Sequence, residues 1–225
     1  MALQPIDTGL WCLPGQFGSK LMPGSTRMTV LEGDGGLVLH SPVALTRDDV
    51  QAIEAIGPVT AILAPNTYHH LHLRAAAEAF PGASVFVPEG LEEKIGPVPR
   101  AATISRAHPP ALPGRIEHFI VERHMVRECL LFHSATRTLV TADMLYNYQP
   151  ENGRWEKLMF RLIGCYGSPK VAFYHRFAIR DKAAVHEMVG AVRAWQPRRI
   201  VLAHGRIVEG EDAAETFARA WRRFA

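Results

Sequence analysis

Three short apolar runs, each followed at once by a histidine or an aspartate, constrain this chain most strongly. The run VTAILAPNTYHH reaches His69 and His70, TLVTAD reaches Asp143, and RIVLAHG reaches His204. Short apolar runs rich in β-branched residues are typical of buried strands. In layered α/β folds, polar groups at the carboxyl ends of strands project into the crevice where ligands bind. The pattern therefore predicts a layered α/β fold with these four side chains at one site.

The chemistry of the four side chains indicates a metal. Imidazole and carboxylate groups are ligands that zinc, iron and manganese accept. Four such groups on three loops, each loop leaving a predicted strand, form a metal-site pattern. We therefore predict that the three loops meet around a metal ion.

The first third of the chain is predicted to form strands. Residues 28–31 and 37–40 flank the turn EGDGG, in which Gly33, Gly35 and Gly36 would supply the positive φ angles of a tight hairpin. The later runs RIEHFIVE, RECLLFHS and RTLVTAD are also of β type. Both halves of the chain thus hold strand pairs.

Helices are predicted between and after these strands. Thr46 and Asp49 form a capping pair before an amphipathic helix, and two further helices are predicted at about residues 181–195 and 211–224. The proline-rich residues 97–113 are predicted to form a surface loop. The arrangement indicates two sheets packed face to face with helices outside, an αββα sandwich in one domain that covers the whole chain.

Composition excludes several classes of protein. The 225 residues are 48% hydrophobic, and a folded chain of this length buries roughly 70% of its unfolded surface, so it needs no disulfide or structural metal. Cys12, Cys129 and Cys165 lack CxxC spacing and are predicted to be free thiols. The formal charge of +3 is spread along the chain, which predicts no nucleic-acid partner. The lack of a leader pattern or a long apolar run predicts a cytoplasmic protein without a membrane partner.

The order of these motifs resembles that of the metallo-β-lactamase superfamily. EGDGGLVLHSP resembles the early hairpin of that family, TLVTADML its carboxylate strand end, and IVLAHGRIV its terminal histidine strand. The HxHxDH motif of the family falls on residues 65–70. There Pro65 and Thr67 replace two histidines, His69 replaces the aspartate, and His70 keeps the last histidine. The resemblance covers nearly the whole chain and implies a four-layer αββα metallo-β-lactamase-like sandwich.

The resemblance implies one metal ion rather than two. In the family, the first two motif histidines hold one ion together with a middle-strand histidine, and the other motif residues hold the second. Because Pro65 and Thr67 are not metal ligands, only the second site is implied here, for one divalent ion: zinc first, with iron or manganese as alternatives. Its ligands would be His69, His70, Asp143 and His204.

The function that this resemblance implies is a metal-dependent hydrolase of an ester, thioester, lactone or phosphoester, in which the ion activates water. Asp143 and His69 would be catalytic, with His69 as the fourth ligand or as the base that accepts a proton from water. The replaced histidines leave a second hypothesis open. In it the protein is catalytically inactive, holds no metal, and binds a small molecule or a protein partner in the same cleft.

Four further features have open roles. His124 would be the middle-strand histidine of the family, His72 a surface group, and His175 a group that reaches the cleft from beside a predicted helix. The segment RWEKLMFRLIGCYG has an apolar stripe at helical spacing. That stripe predicts either a core helix or a lid that contacts an apolar substrate or a second subunit, so a homodimer also stays open.

Overall fold

The helices and strands form four layers. The structure is a computed structural model that describes residues 2–18, 23–149 and 154–224. Two sheets pack against each other, and helices cover the outer face of each sheet. This confirms the αββα sandwich. Within the described residues, none of the helices combines the length and the apolar character needed to span a bilayer.

The first sheet has seven strands in the described residues, arranged in chain order. They are β1 (Gln4–Asp7), β2 (Leu10–Gly18), β3 (Pro23–Gly33), β4 (Gly36–His40), β5 (Val59–Leu63), β6 (Ser84–Pro88) and β7 (Ala101–Ile104). Strands β1 to β4 pair antiparallel, and β4 to β7 pair parallel. The three parallel pairs need crossover connections, and each of the three connections contains a helix.

The second sheet has five strands in the same described ranges, in the order β12, β11, β10, β9, β8. They are β8 (Ile116–Ile120), β9 (Cys129–His133), β10 (Thr138–Thr141), β11 (Arg199–Leu202) and β12 (Val208–Glu209). Only β10 and β11 pair parallel. This parallel pair matters for the site because both strands end at the same edge of the sheet.

The helices fall into three groups along the chain. They are α1 (Arg47–Glu54), α2 (Leu73–Ala79) and α3 (Leu91–Ile95), then α4 (Arg154–Leu162) and α5 (His175–Ala178), and finally α6 (Lys182–Trp195) and α7 (Ala213–Trp221). The predicted capping box is present at α1, where Thr46 and Asp49 bond reciprocally. Such a cap contributes about 1 kcal/mol to helix stability.

Burial of apolar side chains holds the layers together. Between the sheets, Leu31 and Leu63 of the first sheet pack with Val140 and Val201 of the second. A second cluster joins the first sheet to α1, α2 and α3, and a third joins the second sheet to α6 and α7. Each layer therefore buries its apolar face against the next.

Two details of the predicted strands and loops are corrected. The hairpin of β3 and β4 forms as expected, but of its three glycines only Gly35 has a positive φ angle. Gly33 and Gly36 are needed for space, because a Cβ atom would collide with Gly114 and Thr60 respectively. The loop predicted at 97–113 also holds β7, which pairs with β6 at the sheet edge.

Candidate metal centre

Loops that follow three strands meet at one place. His69 and His70 follow β5 in the first sheet, Asp143 follows β10, and His204 follows β11. In the parallel pair Thr141 lies opposite Leu202, so Asp143 and His204 are each two residues beyond aligned positions. The topology thus explains why residues 61 positions apart in sequence lie side by side.

Three of the four predicted ligands form a compact cluster. His69 Nε2 lies 3.2 Å from His204 Nε2 and 3.3 Å from Asp143 Oδ2, and His204 Nε2 lies 3.6 Å from Asp143 Oδ1. In a tetrahedral zinc site with zinc–nitrogen bonds of about 2.0–2.1 Å, neighbouring ligand atoms lie about 3.3 Å apart. The residues present therefore fit a divalent ion with two nitrogen ligands and one oxygen ligand, and one coordination position is left over.

The far nitrogen of each clustered imidazole is hydrogen-bonded. His204 Nδ1 lies 2.9 Å from the carbonyl oxygen of Ser25, which only accepts, so His204 donates from Nδ1 and its Nε2 keeps a lone pair. His69 Nδ1 lies 2.7 Å from the hydroxyl of Ser41. Partners of this kind fix the ring orientation of metal-binding histidines. Ser41 has a φ angle of +60°, a costly backbone conformation for a non-glycine residue, and it places this hydroxyl beside the site.

Asp143 is also held from two sides. The hydroxyl of Tyr146 donates to its Oδ1 at 2.6 Å, and the side-chain amide of Asn66 donates to its Oδ2 at 2.8 Å. Tyr174 completes a chain of hydroxyls, with its oxygen 2.7 Å from that of Tyr146. Each carboxylate oxygen of Asp143 thus has one fixed donor and a free lone pair directed at the cluster.

A second buried carboxylate, Glu128, lies behind Asp143. The side-chain amide of Asn66 donates one hydrogen to each of the two carboxylates, because its nitrogen also lies 2.9 Å from Glu128 Oε2. Glu128 also accepts from the hydroxyl of Thr141 and from the backbone amides of Ala142 and Asp143, each amide at 2.7 Å. Burial and the nearby Asp143 carboxylate raise the pKa of Glu128, whereas these donors oppose that shift. Glu128 therefore fixes the backbone from which Asp143 projects.

Burial and mutual charge set the pKa values of the clustered side chains. Burial lowers the pKa of His204 to about 4, so its imidazole is neutral at pH 7. Burial also disfavours a charged His69, but the Asp143 carboxylate outweighs it and raises the pKa of His69. Burial would raise the pKa of Asp143, yet the neighbouring imidazoles and Tyr146 lower it. Asp143 is accordingly a carboxylate at neutral pH, which is the form that binds metals.

The other histidines lie outside the cluster of described residues. His70 lines the same cavity, but it does not converge with His69, Asp143 and His204. Consecutive side chains leave the backbone in different directions, so only His69 faces Asp143. His124 and His175 bond to each other instead, with His124 Nε2 3.1 Å from His175 Nδ1.

The cluster forms the floor of a cavity of about 410 Å³. Its walls are mostly apolar and aromatic and include Phe17, Leu71 and, from α4 and the residue after it, Met159, Phe160 and Ile163. Two polar atoms on these walls, His70 Nδ1 and Thr26 Oγ1, are buried and have no hydrogen-bond partner among the described residues. His72 also lines the cavity. The predicted helix forms as α4 and lines the cavity, and its Phe160 is also buried in a core cluster, so features of both alternatives are present.

Four residues that hold the cluster were not predicted from the sequence: Ser41, Asn66, Glu128 and Tyr146. Asn66 and Tyr146 each lie three positions from a predicted ligand, so proximity in sequence was an available signal. Glu128, an acidic residue directly before the buried strand β9, was another. Ser41 follows β4, and only the pairing of β4 with β5 brings it beside His69.

Comparison with known protein families matches only part of the chain. A family described as a domain of unknown function (DUF4336) matches residues 8–91, which is less than half of the chain. No curated protein matches the chain at a significant level.

The solved structures similar to the chain include metallo-β-lactamases. One from Pontibacter korlensis has 12% identity and a TM-score of 0.66 and covers 98% of each chain. One from Hirschia baltica has 12% identity and a TM-score of 0.63, with coverage of 97% of this chain and 96% of that one. The enzyme FIM-1 from Pseudomonas aeruginosa, in its mono-zinc form, has 11% identity and a TM-score of 0.62, with coverage of 99% and 95%. At these identities the likeness shows the fold alone.

Proposed function

We propose that this chain, which has the metallo-β-lactamase fold, is a metal-dependent hydrolase with one divalent ion held by His69, Asp143 and His204. The observation that carries the proposal is the convergence of their donor atoms at spacings of 3.2 to 3.6 Å. Two imidazoles and a carboxylate favour zinc, and iron or manganese remain alternatives. Three protein ligands with one position left over are typical of catalytic rather than structural zinc sites.

When bound, such an ion supplies a Lewis acid that acidifies water and polarises a carbonyl group. The protein supplies the orientation. Ser41 and the carbonyl of Ser25 hold the two imidazoles, and Tyr146 and Asn66 hold the carboxylate, so the donors are arranged before substrate arrives. The apolar walls exclude bulk water, which strengthens electrostatic interactions inside the cavity.

The cavity walls favour a carbonyl substrate. Among the described residues, no lysine or arginine lines the cavity, so no cationic side chain there would assist the metal ion in binding a phosphate group. Of the four classes that the sequence left open, an ester, a thioester or a lactone with an apolar acyl part suits these walls better than a phosphoester. His70 Nδ1 and Thr26 Oγ1 would orient its polar atoms, because both are buried without a partner in the described part of the chain.

The inactive binding protein is supported by a different observation. A protonated His69 would form an ion pair with Asp143 at 3.3 Å and would have no lone pair for a metal ion. Asp143 does raise the pKa of His69, so the same distances arise without a metal ion. Metal content separates the two proposals.

The test combines metal content with hydrolysis. Protein purified without chelator is assayed for metals and for hydrolysis of p-nitrophenyl acyl esters, acyl thioesters and acyl lactones. Asp143→Asn and His204→Ala should lose both metal and activity, whereas His70→Ala should keep the metal and raise KM. His186→Ala, an exposed histidine on α6, serves as the matched control. Activity that survives both ligand substitutions would rule the proposal out.

A further inference from the structure

Several large apolar side chains are exposed in the described part of the protein, some of them beside the cavity. Those exposed by more than a third are Tyr68, Leu71, Met125, Trp155, Leu158, Leu162, Phe173 and Phe177. We call five of these the apolar rim: Leu71, Leu158, Leu162, Phe173 and Phe177. Their exposed fractions run from 50% for Leu158 to 71% for Leu162 and Phe177. Exposed apolar patches of this kind mark interaction surfaces.

Four of the five rim residues lie on two adjoining segments. Leu158 and Leu162 lie four residues apart on α4, next to Met159 and Ile163, which line the cavity. The amide of Phe173 donates to the carbonyl of Ile163 at 3.0 Å, which brings the loop before α5 beside the end of α4. Phe177 lies four residues further on, within α5. Leu71 lines the cavity itself, and the other four rim residues lie on the segments that supply Met159, Ile163 and Tyr174 to its lining.

The segment that carries most of the apolar rim is rich in positive charge. The segment 154–180 has six basic residues and a single acidic one, Glu156, although the whole chain carries only +3. Glu156 is buried and accepts from the backbone amide and the hydroxyl of Ser25, so it does not reach the surface of this face. The six basic residues, here called the basic fringe, are Arg154, Lys157, Arg161, Lys170, Arg176 and Arg180.

Exposed apolar side chains interspersed with lysine and arginine match the chemistry of an anionic bilayer surface. Apolar groups of peripheral proteins enter the boundary between headgroups and acyl chains, and each nearby cation contributes about 1 kcal/mol on an anionic leaflet. A second copy of the chain fits less well, because a two-fold interface would place the basic fringe against itself. A nucleic acid would leave the leucines of the rim without a partner.

We propose that the apolar rim and the basic fringe dock the protein on an anionic lipid bilayer. From the sequence we expected no membrane partner, and the docking proposed here departs from that expectation. Docking itself does not depend on hydrolysis. Its consequence rests on the proposed function: with the cavity mouth at the bilayer surface, an ester or thioester with a long acyl chain passes from the membrane to the site without crossing water.

Vesicle sedimentation tests the docking directly. Metal-free protein is mixed with vesicles of phosphatidylcholine alone and with vesicles that contain phosphatidylglycerol as about a third of the lipid. We expect binding to the anionic vesicles only, weakened by added salt. Equal binding to both vesicle types, or binding to neither, would overturn the proposal.

Two double variants and one control make the test specific. Arg161→Gln with Arg176→Gln should weaken vesicle binding by about 30-fold, as expected for the loss of two surface cations. Leu162→Ser with Phe177→Ser should weaken it at least about tenfold, because both side chains would leave the acyl boundary. Arg47→Gln, an exposed arginine at the start of α1 outside the face, should change nothing.

Other results of these experiments would separate membrane docking from dimer formation and from nucleic-acid binding. Unchanged vesicle binding in the rim and fringe variants would contradict the proposal, as would a dimer in solution that the Leu162→Ser, Phe177→Ser variant dissociates. Retention on single-stranded DNA with no vesicle binding would assign the face to nucleic acid instead. Because the vesicles are mixed with metal-free protein, a failure of the hydrolase proposal would leave the vesicle result unaffected.

Discussion

Replacement of Asn66 by aspartate tests the network behind the candidate metal centre. The Asn66 amide gives one hydrogen to Asp143 and one to Glu128, at 2.8 and 2.9 Å. Aspartate has nearly the same shape but no hydrogen to give, and it would set a third buried carboxylate against the other two. Hydrogen bonds to charged groups contribute about 1.5–3 kcal/mol each, so the loss of two costs about 3–6 kcal/mol before any repulsion.

Asn66→Ala is the matched comparison, because it removes the same two donated hydrogens without adding a charge. The Asn66 carbonyl oxygen also accepts from the backbone amides of Tyr68 and His69, at 2.9 and 3.1 Å. Aspartate keeps these two bonds and alanine loses them. If local turn bonding dominated, aspartate would be the milder change. We predict the reverse at pH 7.5, because the added charge faces two carboxylates in a buried site.

The assay is urea unfolding with chelator present, so that metal binding does not contribute. The neighbouring carboxylates raise the pKa of the introduced aspartate in the folded state, so its penalty is present at high pH and disappears as the pH falls through that value. Asn66→Asp should therefore gain stability relative to Asn66→Ala between pH 7.5 and pH 5. A variant with aspartate that is as stable as the wild type, or a difference that does not change with pH, would refute the reasoning.

Three further predictions follow from other contacts. Burial lowers the pKa of His124 to about 4 and that of His175 to about 3, so unfolding takes up protons below about pH 6.5. The free energy of unfolding should therefore fall by about 1.4 kcal/mol per pH unit for each histidine as the pH drops toward 4. A free energy of unfolding in urea that does not change over that pH range would contradict this prediction. Ser41→Ala removes the bond to His69 and should weaken metal affinity about 10- to 100-fold in a chelator competition, and unchanged affinity would exclude the role given to Ser41. Gly205→Ala should cost at least about 2 kcal/mol in thermal unfolding, because φ is +92° and a Cβ would meet a neighbouring backbone carbonyl; a neutral effect there would be evidence against this loop geometry.

The sequence predicted the parts of the fold that local pattern controls. The strand runs before Asp143 and His204 and the cap at Thr46 are set by residues within a few positions of one another, and all three are present. The convergence of the three loops was also predictable, since strand ends in layered folds meet at an edge. The metallo-β-lactamase fold, implied by motif order, agrees with the solved structures.

The finer structure of the site was not predictable from pattern alone. The motif register predicted both His69 and His70 as ligands. In the structure Asn66 accepts a hydrogen bond from the backbone amide of His69, and this turn places the His69 side chain toward Asp143. Glu128 lies just before β9 and accepts hydrogen bonds from the backbone amides of Ala142 and Asp143, which follow the neighbouring strand β10. This contact depends on how β9 and β10 pair. The roles of α4 as cover and of its outer face as exposed surface likewise depend on packing that one sequence does not display.

Metal content of the purified protein tests the central claim most directly. Elemental mass spectrometry on untagged protein prepared without chelator should find about one divalent ion per chain in the wild type and in His186→Ala. Asp143→Asn should hold none while keeping its circular dichroism spectrum. Wild-type protein that is folded but takes up no metal after reconstitution would contradict the account, and about two ions per chain would contradict the mononuclear site.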